Sequence, residues 1–227
     1  LKIRYKNLIK TINLGLIGKI QLKNVLMAII AAQKSNLELK KVLAILSKLK
    51  PVEGRLEKIG KIKNNSKAIL DYAHTPEALK ISLLNLKEQF PDRKIILLFG
   101  CGGNRDQNKR SKMGKIADIF SDEIYLTDDN PRFESSYKIR KDIRTGIKKT
   151  KVIEISDRGK AIAQAIKNLR TGEILLVAGK GHEKVQDIGK RKIFFSDKKI
   201  ILESIKTKNH SLSNNLKLNI IREVSGN

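Results

Sequence analysis

Two short runs of this chain, Ile95-Ile96-Leu97-Leu98-Phe99 and Ile174-Leu175-Leu176-Val177-Ala178, contain no polar side chain. A strand with one wet face alternates apolar and polar residues, so a continuous apolar run demands cover on both faces. A parallel sheet between two layers of helices provides that cover. From Ser66 the chain predicts strands at Ala68–Tyr72, Lys94–Phe99, Glu123–Thr127, Lys151–Ile155 and Ile174–Ala178. Between them it predicts helices at Pro76–Gln89, Ser111–Phe120, Ser135–Lys148 and Asp157–Leu169. Pro76 suits the first helical position, where its missing N–H does no harm. Ala161, Ile162, Ala165, Ile166 and Leu169 recur at helical spacing. Lys192–Phe195 is read as the strand that closes the sheet, before a last helix to about Ile205. Strict alternation implies an α/β fold with a doubly wound, mostly parallel sheet and right-handed crossovers.

The ends read differently. Residues 1–18 read as short extended pieces, and Lys19–Gln33 as a helix. Ser35 and Asn36 are good N-caps for a second helix to about Lys50, which Pro51 stops. Val52–Asn65 reads as a hinge or linker into the regular part. Lys206–Asn215 is polar and is expected to be flexible, with one short helix over Leu216–Ser225. The chain starts with Leu1 rather than Met, so a fragment or processed product is expected.

Composition narrows the function classes. A single Cys101 excludes an internal disulfide and suits a reducing, cytoplasmic location. Histidines at 74, 182 and 210 have no zinc spacing, and no metal site is read. The apolar run Val25–Ala32 is too short to cross a bilayer. The net charge of +25 has two readings. Nucleic-acid binding is one. The other is a Lys-, Ile- and Asn-rich composition with lysines spread over every segment. Aromatics are only 4%, and no basic run is interleaved with stacking rings, so the second reading is preferred. An anionic ligand would still be attracted.

Four polar loops follow predicted strands: Asp71 to Pro76, Cys101 to Asp106, Thr127 to Arg132, and Gly179 to Glu183. In such sheets these loops share the carboxyl edge, where ligands bind. Arg105, Lys109 and Arg110 follow a glycine pair whose N–H groups are able to form an anion nest. This also reads as an ordinary turn with surface cations. Asn130 precedes Pro131 and is pushed out of the helical region. Arg132 offers a planar fork for a carboxylate, or is simply solvated. Lys180 and Glu183 suit a zwitterion, or form a weak surface pair. His74 contacts phosphate or is an ordinary loop histidine. Gly-Lys pairs at 18–19, 114–115, 159–160 and 179–180 are not followed by Ser or Thr, so no P-loop is present.

Taken together, Gly54-Arg55-Leu56-Glu57, Asp71 to Pro76, Phe99 to Met113, Asp129 to Arg132, Asp157-Arg158 and Ala178 to Gln186 resemble the Mur ligase family. The similarity runs from about Leu14 to about Leu202, and is greatest to the members that add the third amino acid of the peptidoglycan stem. The resemblance implies that residues 1–51 are the helical remnant of a central ATPase domain. It implies a Rossmann-like C-terminal domain over 52–206 and a tail over 207–227. The activity it implies is ATP-dependent, with magnesium. Meso-diaminopimelate is joined to UDP-N-acetylmuramoyl-L-alanyl-D-glutamate through an acyl phosphate. Arg55, Asp71, His74 and Asn24 then match the ATP side, with Asp71 on the ribose. Arg105, Asp129, Asn130, Pro131, Arg132, Gly179 and Glu183 match the amino-acid pocket. Asp-Asn-Pro-Arg goes with diaminopimelate, whose distal carboxylate lysine lacks. An Arg left unpaired by lysine is a heavy penalty. No catalytic residue is assigned, and a chain without a P-loop is expected not to turn over alone.

The chain departs from the family pattern at Gln21, in place of Asn, and at Ser135-Ser136, in place of Asp-Pro. Leu216 to Gly226 faintly resembles the opening helix of a MurF-type ligase, so a fused parent is an expectation. The alternative is a non-catalytic, basic α/β module that binds nucleotides or nucleic acid.

Overall fold

The computed structural model of the protein describes residues 1–5 and 8–224. It opens with an antiparallel hairpin, β1 (Lys2–Tyr5) and β2 (Leu8–Thr11), followed by helices α1 (Lys19–Lys34) and α2 (Leu39–Ile45). Ile12, Val25, Ile29, Leu43 and Leu46 form a small core of their own here. Ser35 and Asn36 end α1 rather than start α2. The Ser35 N–H donates to the Ala31 carbonyl at 3.0 Å. Asn36 takes a φ of 61°, the left-handed value at which helices commonly terminate.

A six-stranded sheet follows, made of β3 (Glu57–Ile59), β4 (Lys67–Asp71), β5 (Ile95–Phe99), β6 (Glu123–Leu126), β7 (Lys151–Glu154) and β8 (Ile174–Ala178). Its order is β3-β4-β8-β5-β6-β7. Only β3 is antiparallel to its neighbour. Helices α3 (Pro76–Gln89), α4 (Asn108–Phe120) and α5 (Ser136–Arg144) cover one face, packing on Ile69, Leu97, Phe99 and Leu176. Helices α6 (Arg158–Asn168) and α7 (Asp197–Val224) cover the other, packing on Leu70, Ile96, Leu98 and Leu175. Successive strand residues thus feed opposite cores, which is why the central strands are apolar throughout. Each fully buried Leu or Ile stabilises by about 1.5–3 kcal/mol.

Three expectations are corrected. Arg191–Phe194 (β10) does not close the sheet. It pairs antiparallel with Val185–Ile188 (β9) in a separate hairpin. All four β10 residues are exposed, too wet for a place in a covered sheet. The sheet's edge strands are β7 and, inside the segment read as a linker, β3. The tail is one continuous helix over the span read as flexible. Gly and Pro are absent from 197–224, and the helix is stapled to the domain. Lys208 Nζ donates to the carbonyls of Lys167 and Leu169, both at 2.8 Å. Asn209 accepts from Lys63 N–H at 2.9 Å and donates to the Lys61 carbonyl at 2.8 Å. Ser225 and Gly226, at the end of the predicted tail segments, lie outside the described residues. The change at Ser135-Ser136 is accommodated locally: Ser135 Oγ caps α5 by accepting from Lys138 N–H at 3.4 Å.

Candidate functional site

The loops after β4, β5, β6 and β8 meet at the carboxyl edge of the sheet around a cleft of about 520 Å³. His74, Arg105, Asp129, Asn130, Arg132, Gly179 and Glu183 all line it. Tyr72, Cys101 and Lys109 do so as well. The Lys109 ammonium donates to the His74 carbonyl at 2.8 Å and so ties two of the loops together. The Cys101 thiol is pushed up to about 12 by burial, so it is no thiolate at neutral pH.

The Asp129 to Arg132 turn is held from several directions. Asn130 Oδ1 accepts from Lys180 Nζ at 2.9 Å and from Asp187 N–H at 3.0 Å. Asn130 Nδ2 donates to Glu183 Oε2 at 3.0 Å. The amide's direction is therefore fixed by contacts as well as by the following proline. Pro131 stays in the turn, its carbonyl accepting from Glu134 N–H at 3.1 Å. Arg132 takes a φ of 53°, a strained conformation for a residue with a side chain. Its N–H donates to the Asp187 carbonyl at 3.0 Å. Its Nη1 donates to the Gly103 carbonyl at 2.8 Å. Arg105 is exposed and lies near it: a Cβ built on Gly102 would come within 2.9 Å of Arg132 Nη1 and 3.9 Å of Arg105 Cγ. Behind the turn, buried Arg110 binds Glu134 at 2.8 Å and Asp142 at 2.9 Å, while Glu134 also accepts from Asn104 N–H.

The anionic wall is Glu183 and Asp129. Burial pushes the Glu183 carboxyl up, but Lys180 and Asn130 outweigh it and hold it below the ordinary range. Burial pushes Asp129 up against the pull of Arg158 and Lys180. The Asp129 carboxylate faces Gly179, whose φ is 114° and where a Cβ would come within 2.7 Å of Asp129 Oδ2. Any side chain there would strike the carboxylate. Lys180 does not reach the cleft, as a zwitterion reader would. Its side chain is fully buried beneath the floor, where it also donates to the Val185 carbonyl at 2.7 Å. Arg158 lies deeper, paired with Asp197 through Nε at 2.8 Å and Nη2 at 2.7 Å, both side chains fully buried.

The residues matched to ATP divide into three positions. Arg55 is exposed, its guanidinium carbon 4.8 Å from the centre of the Tyr72 ring. Tyr72 also meets His74 edge-on at 4.6 Å and His182 at 5.3 Å. The three rings and the Arg55 guanidinium form one patch, of which Tyr72 and His74 line the cleft. Asp71 is buried beneath it, with both carboxylate oxygens engaged by Leu56 N–H and Ser82 Oγ. It ties β4 to the Gly54-Arg55-Leu56 loop and to α3. Asn24 sits on the exposed side of α1 and lines none of this cleft. Gln21, one turn earlier, donates to the Arg55 carbonyl at 3.4 Å. Sequence reading missed Tyr72 and His182 as partners and Asp187 as a clamp. Tyr72 directly follows the last residue of a buried strand, which was the available signal. Nothing local marked Asp187.

Fold and cleft together define a Rossmann-like α/β domain whose carboxyl-edge cleft is lined by side chains of both charges. The family model described as Mur ligase, glutamate ligase domain matches residues 54–181. The chain therefore belongs to the Mur ligase family. A UDP-N-acetylmuramoyl-L-alanyl-D-glutamate–2,6-diaminopimelate ligase of Rickettsia felis is 44% identical over 83% of this chain and 35% of its own length. A ligase of the same name from Rickettsia bellii is 45% identical over 82% of this chain and 38% of its length. A solved structure of a 2,6-diaminopimelate ligase is 31% identical, with a TM-score of 0.71 over 92% of this chain and 43% of that one. The chain thus spans between about a third and two fifths of the curated relatives it matches.

Proposed function

We propose that this chain supplies the amino-acid pocket, and part of the ATP side, of a ligase that joins meso-diaminopimelate to UDP-N-acetylmuramoyl-L-alanyl-D-glutamate. The observation that carries the reading is Arg132, held in a strained backbone near Arg105 in a cleft that Glu183 also lines. Guanidinium groups and a carboxylate in one cleft suit a ligand with a free carboxylate and an ammonium group. Diaminopimelate has this pair at both ends, whereas the lysine side chain ends in an ammonium alone. The relatives' names support this choice.

In the proposed reaction ATP activates the D-glutamate carboxylate as an acyl phosphate. The chain's own residues hold the incoming amino acid so that its amine meets that carbon. Pre-orientation of this kind removes much of the entropic barrier. The Tyr72, His74 and Arg55 patch suits the nucleotide, with ring faces for stacking and a guanidinium for phosphate. No group of three His, Cys, Asp or Glu able to hold a metal occurs among the described residues. No step is assigned to magnesium here. Residues 1–51 act as the end of the central domain in this reading, and 52–206 as the C-terminal domain. Without a P-loop sequence the chain is expected not to turn over alone. A cytoplasmic location follows from the proposed nucleotide substrates; among the described residues no helix is long and apolar enough to cross a membrane.

Calorimetric titration of the chain tests this. Meso-diaminopimelate is expected to bind at least about 100-fold more tightly than L-lysine, since lysine leaves the Arg132 guanidinium without a carboxylate partner. Arg132→Ala is expected to erase most of that difference. Equal binding of the two amino acids, or an unchanged Arg132→Ala variant, would refute the pocket. Steeply salt-dependent binding of a short DNA duplex, without amino-acid binding, would favour the basic-module alternative.

A further inference from the structure

The β9–β10 hairpin stands apart from the six-stranded sheet, and its two outer edges differ. In an antiparallel pair, residues that bond across the pair alternate with residues whose N–H and C=O point outward. Phe195 N–H donates to the Lys184 carbonyl at 3.0 Å. Positions 193 and 191 are therefore the bonded ones of the register, and 192 and 194 point outward. On β9 the outward groups belong to Val185 and Asp187, and they are taken. The Val185 carbonyl accepts from Lys180 Nζ at 2.7 Å. The Asp187 N–H donates to Asn130 Oδ1 at 3.0 Å, and its carbonyl accepts from Arg132 N–H at 3.0 Å. On β10 the outward groups are the N–H and C=O of Lys192 and Phe194. They have no partner among the described residues, and all four β10 residues are exposed.

We propose that this open edge takes an extended segment of another protein as a third, antiparallel strand, one in which two apolar residues precede two acidic ones. The outward row holds donors and acceptors alike. A peptide backbone answers both, whereas a phosphate backbone offers acceptors only. The side chains set the order. Arg191 and Lys192 begin β10, with Lys190 just before them, and Ile193 and Phe194 end it. The ring of Phe194 is 73% exposed, beside a half-exposed Val185 across the pair. An antiparallel partner meets this strand from its far end, so its apolar residues come first and its carboxylates second. The cations that guard the edge against like strands thus select an acidic one. A second copy of this chain is disfavoured, because a net charge of +25 opposes self-association. The sequence also contains no run of two apolar residues followed by two acidic ones, so the strand belongs to a different polypeptide. This surface is the edge opposite the one that holds the Asn130–Arg132 turn, and the amino-acid reading is not needed for it.

The probe is a short peptide with Val-Ile-Glu-Glu at its centre, titrated into the isotope-labelled chain and followed by NMR. At saturation the Lys192 and Phe194 amides are expected to exchange at least about tenfold more slowly. The amides at 191, 193 and 195, already bonded within the hairpin, should change less than about twofold. A peptide with Lys in place of both glutamates is expected to bind about tenfold more weakly. Lys192→Glu should reverse that preference. Phe194→Pro removes an outward donor and leaves the hairpin's own bonds in place, so it should abolish binding. Should that variant lose the hairpin's NMR signature, Lys192→Glu, which keeps every backbone group, carries the test. No shift at millimolar peptide would overturn the proposal, as would equal binding of the Glu and Lys peptides. Unchanged exchange at Lys192 and Phe194 would overturn it too. So would slowing of the same two amides by self-association of the chain, by a short DNA duplex or by anionic phosphatidylglycerol vesicles in place of the peptide.

Discussion

Burying an ammonium group costs several kcal/mol unless partners compensate for the lost water. Lys180 has those partners: Asn130 Oδ1, Glu183 Oε2 and the Val185 carbonyl lie at 2.9, 3.0 and 2.7 Å. Two of them are cleft residues, so the lysine sets where the amide and the carboxylate point without touching ligand space. Replacing it by Met fits the volume but leaves all three acceptors short of a donor. Lys180→Met is expected to destabilise the chain by about 3 kcal/mol, read from urea denaturation, since one partner of a buried network is removed. Amino-acid binding should weaken in the same variant. Full stability would show that the ammonium is not the keystone of the floor. This arrangement was half legible. Arg132 was visible as a residue type suited to a carboxylate, and Lys180 with Glu183 as a pair suited to a zwitterion, although Lys180 lies beneath the floor. The contacts that orient these side chains join Asn130 to positions fifty or more residues away, and no local pattern marks such pairs.

At the level of elements, legibility followed burial. The strands β5 and β8 announce themselves because every residue is apolar. The edge strand β3 has one buried position among Glu57, Lys58 and Ile59, so nothing separates it from a linker. β10 has aromatic and aliphatic residues but no partner sheet to cover them. Connections between elements were equally silent. Asp118, on the last turn of α4, accepts from the N–H groups of Lys148, Lys149 and Thr150 at 3.1, 3.0 and 2.7 Å. It thereby fastens the loop between α5 and β7. Burial pushes its carboxyl up, but these donors outweigh burial and hold it at about 2, against an ordinary 3.8. A depressed carboxyl contributes stability above its unfolded pKa, and that contribution is lost as pH falls through the folded one. Melting temperature should therefore drop between about pH 4 and pH 2, the interval set by those two values. Asp118→Asn should be less stable at neutral pH, by about 1 kcal/mol after allowance for solvent screening, and should show a flatter acid limb. An identical acid limb in the two proteins would remove Asp118 as its source.

On the scale of the whole molecule, the sheet separates two jobs. Its carboxyl edge carries the candidate cleft, and the α6–α7 side carries a staple. The amino end of α7 is fixed by Asp197, bound to Arg158, whose Nη2 also donates to the Ala178 carbonyl at 3.0 Å. The second half of α7 reaches across the far side of the domain through Lys208 and Asn209. Those bonds join the helix to the end of α6 and to the Lys61–Lys63 segment after β3, and none involves a cleft residue. Ending the chain after Lys206 removes four of these hydrogen bonds and keeps the Arg158–Asp197 anchor, Ile201 and Ile205. Partly exposed hydrogen bonds of this kind contribute roughly 0.5 kcal/mol each, so the shortened chain should lose about 2 kcal/mol in urea denaturation. Its affinity for meso-diaminopimelate should stay within about twofold of the full chain, because sites without shared partners act independently. A large loss of affinity at intact stability would mean that the tail, through a route absent from these contacts, reports to the cleft.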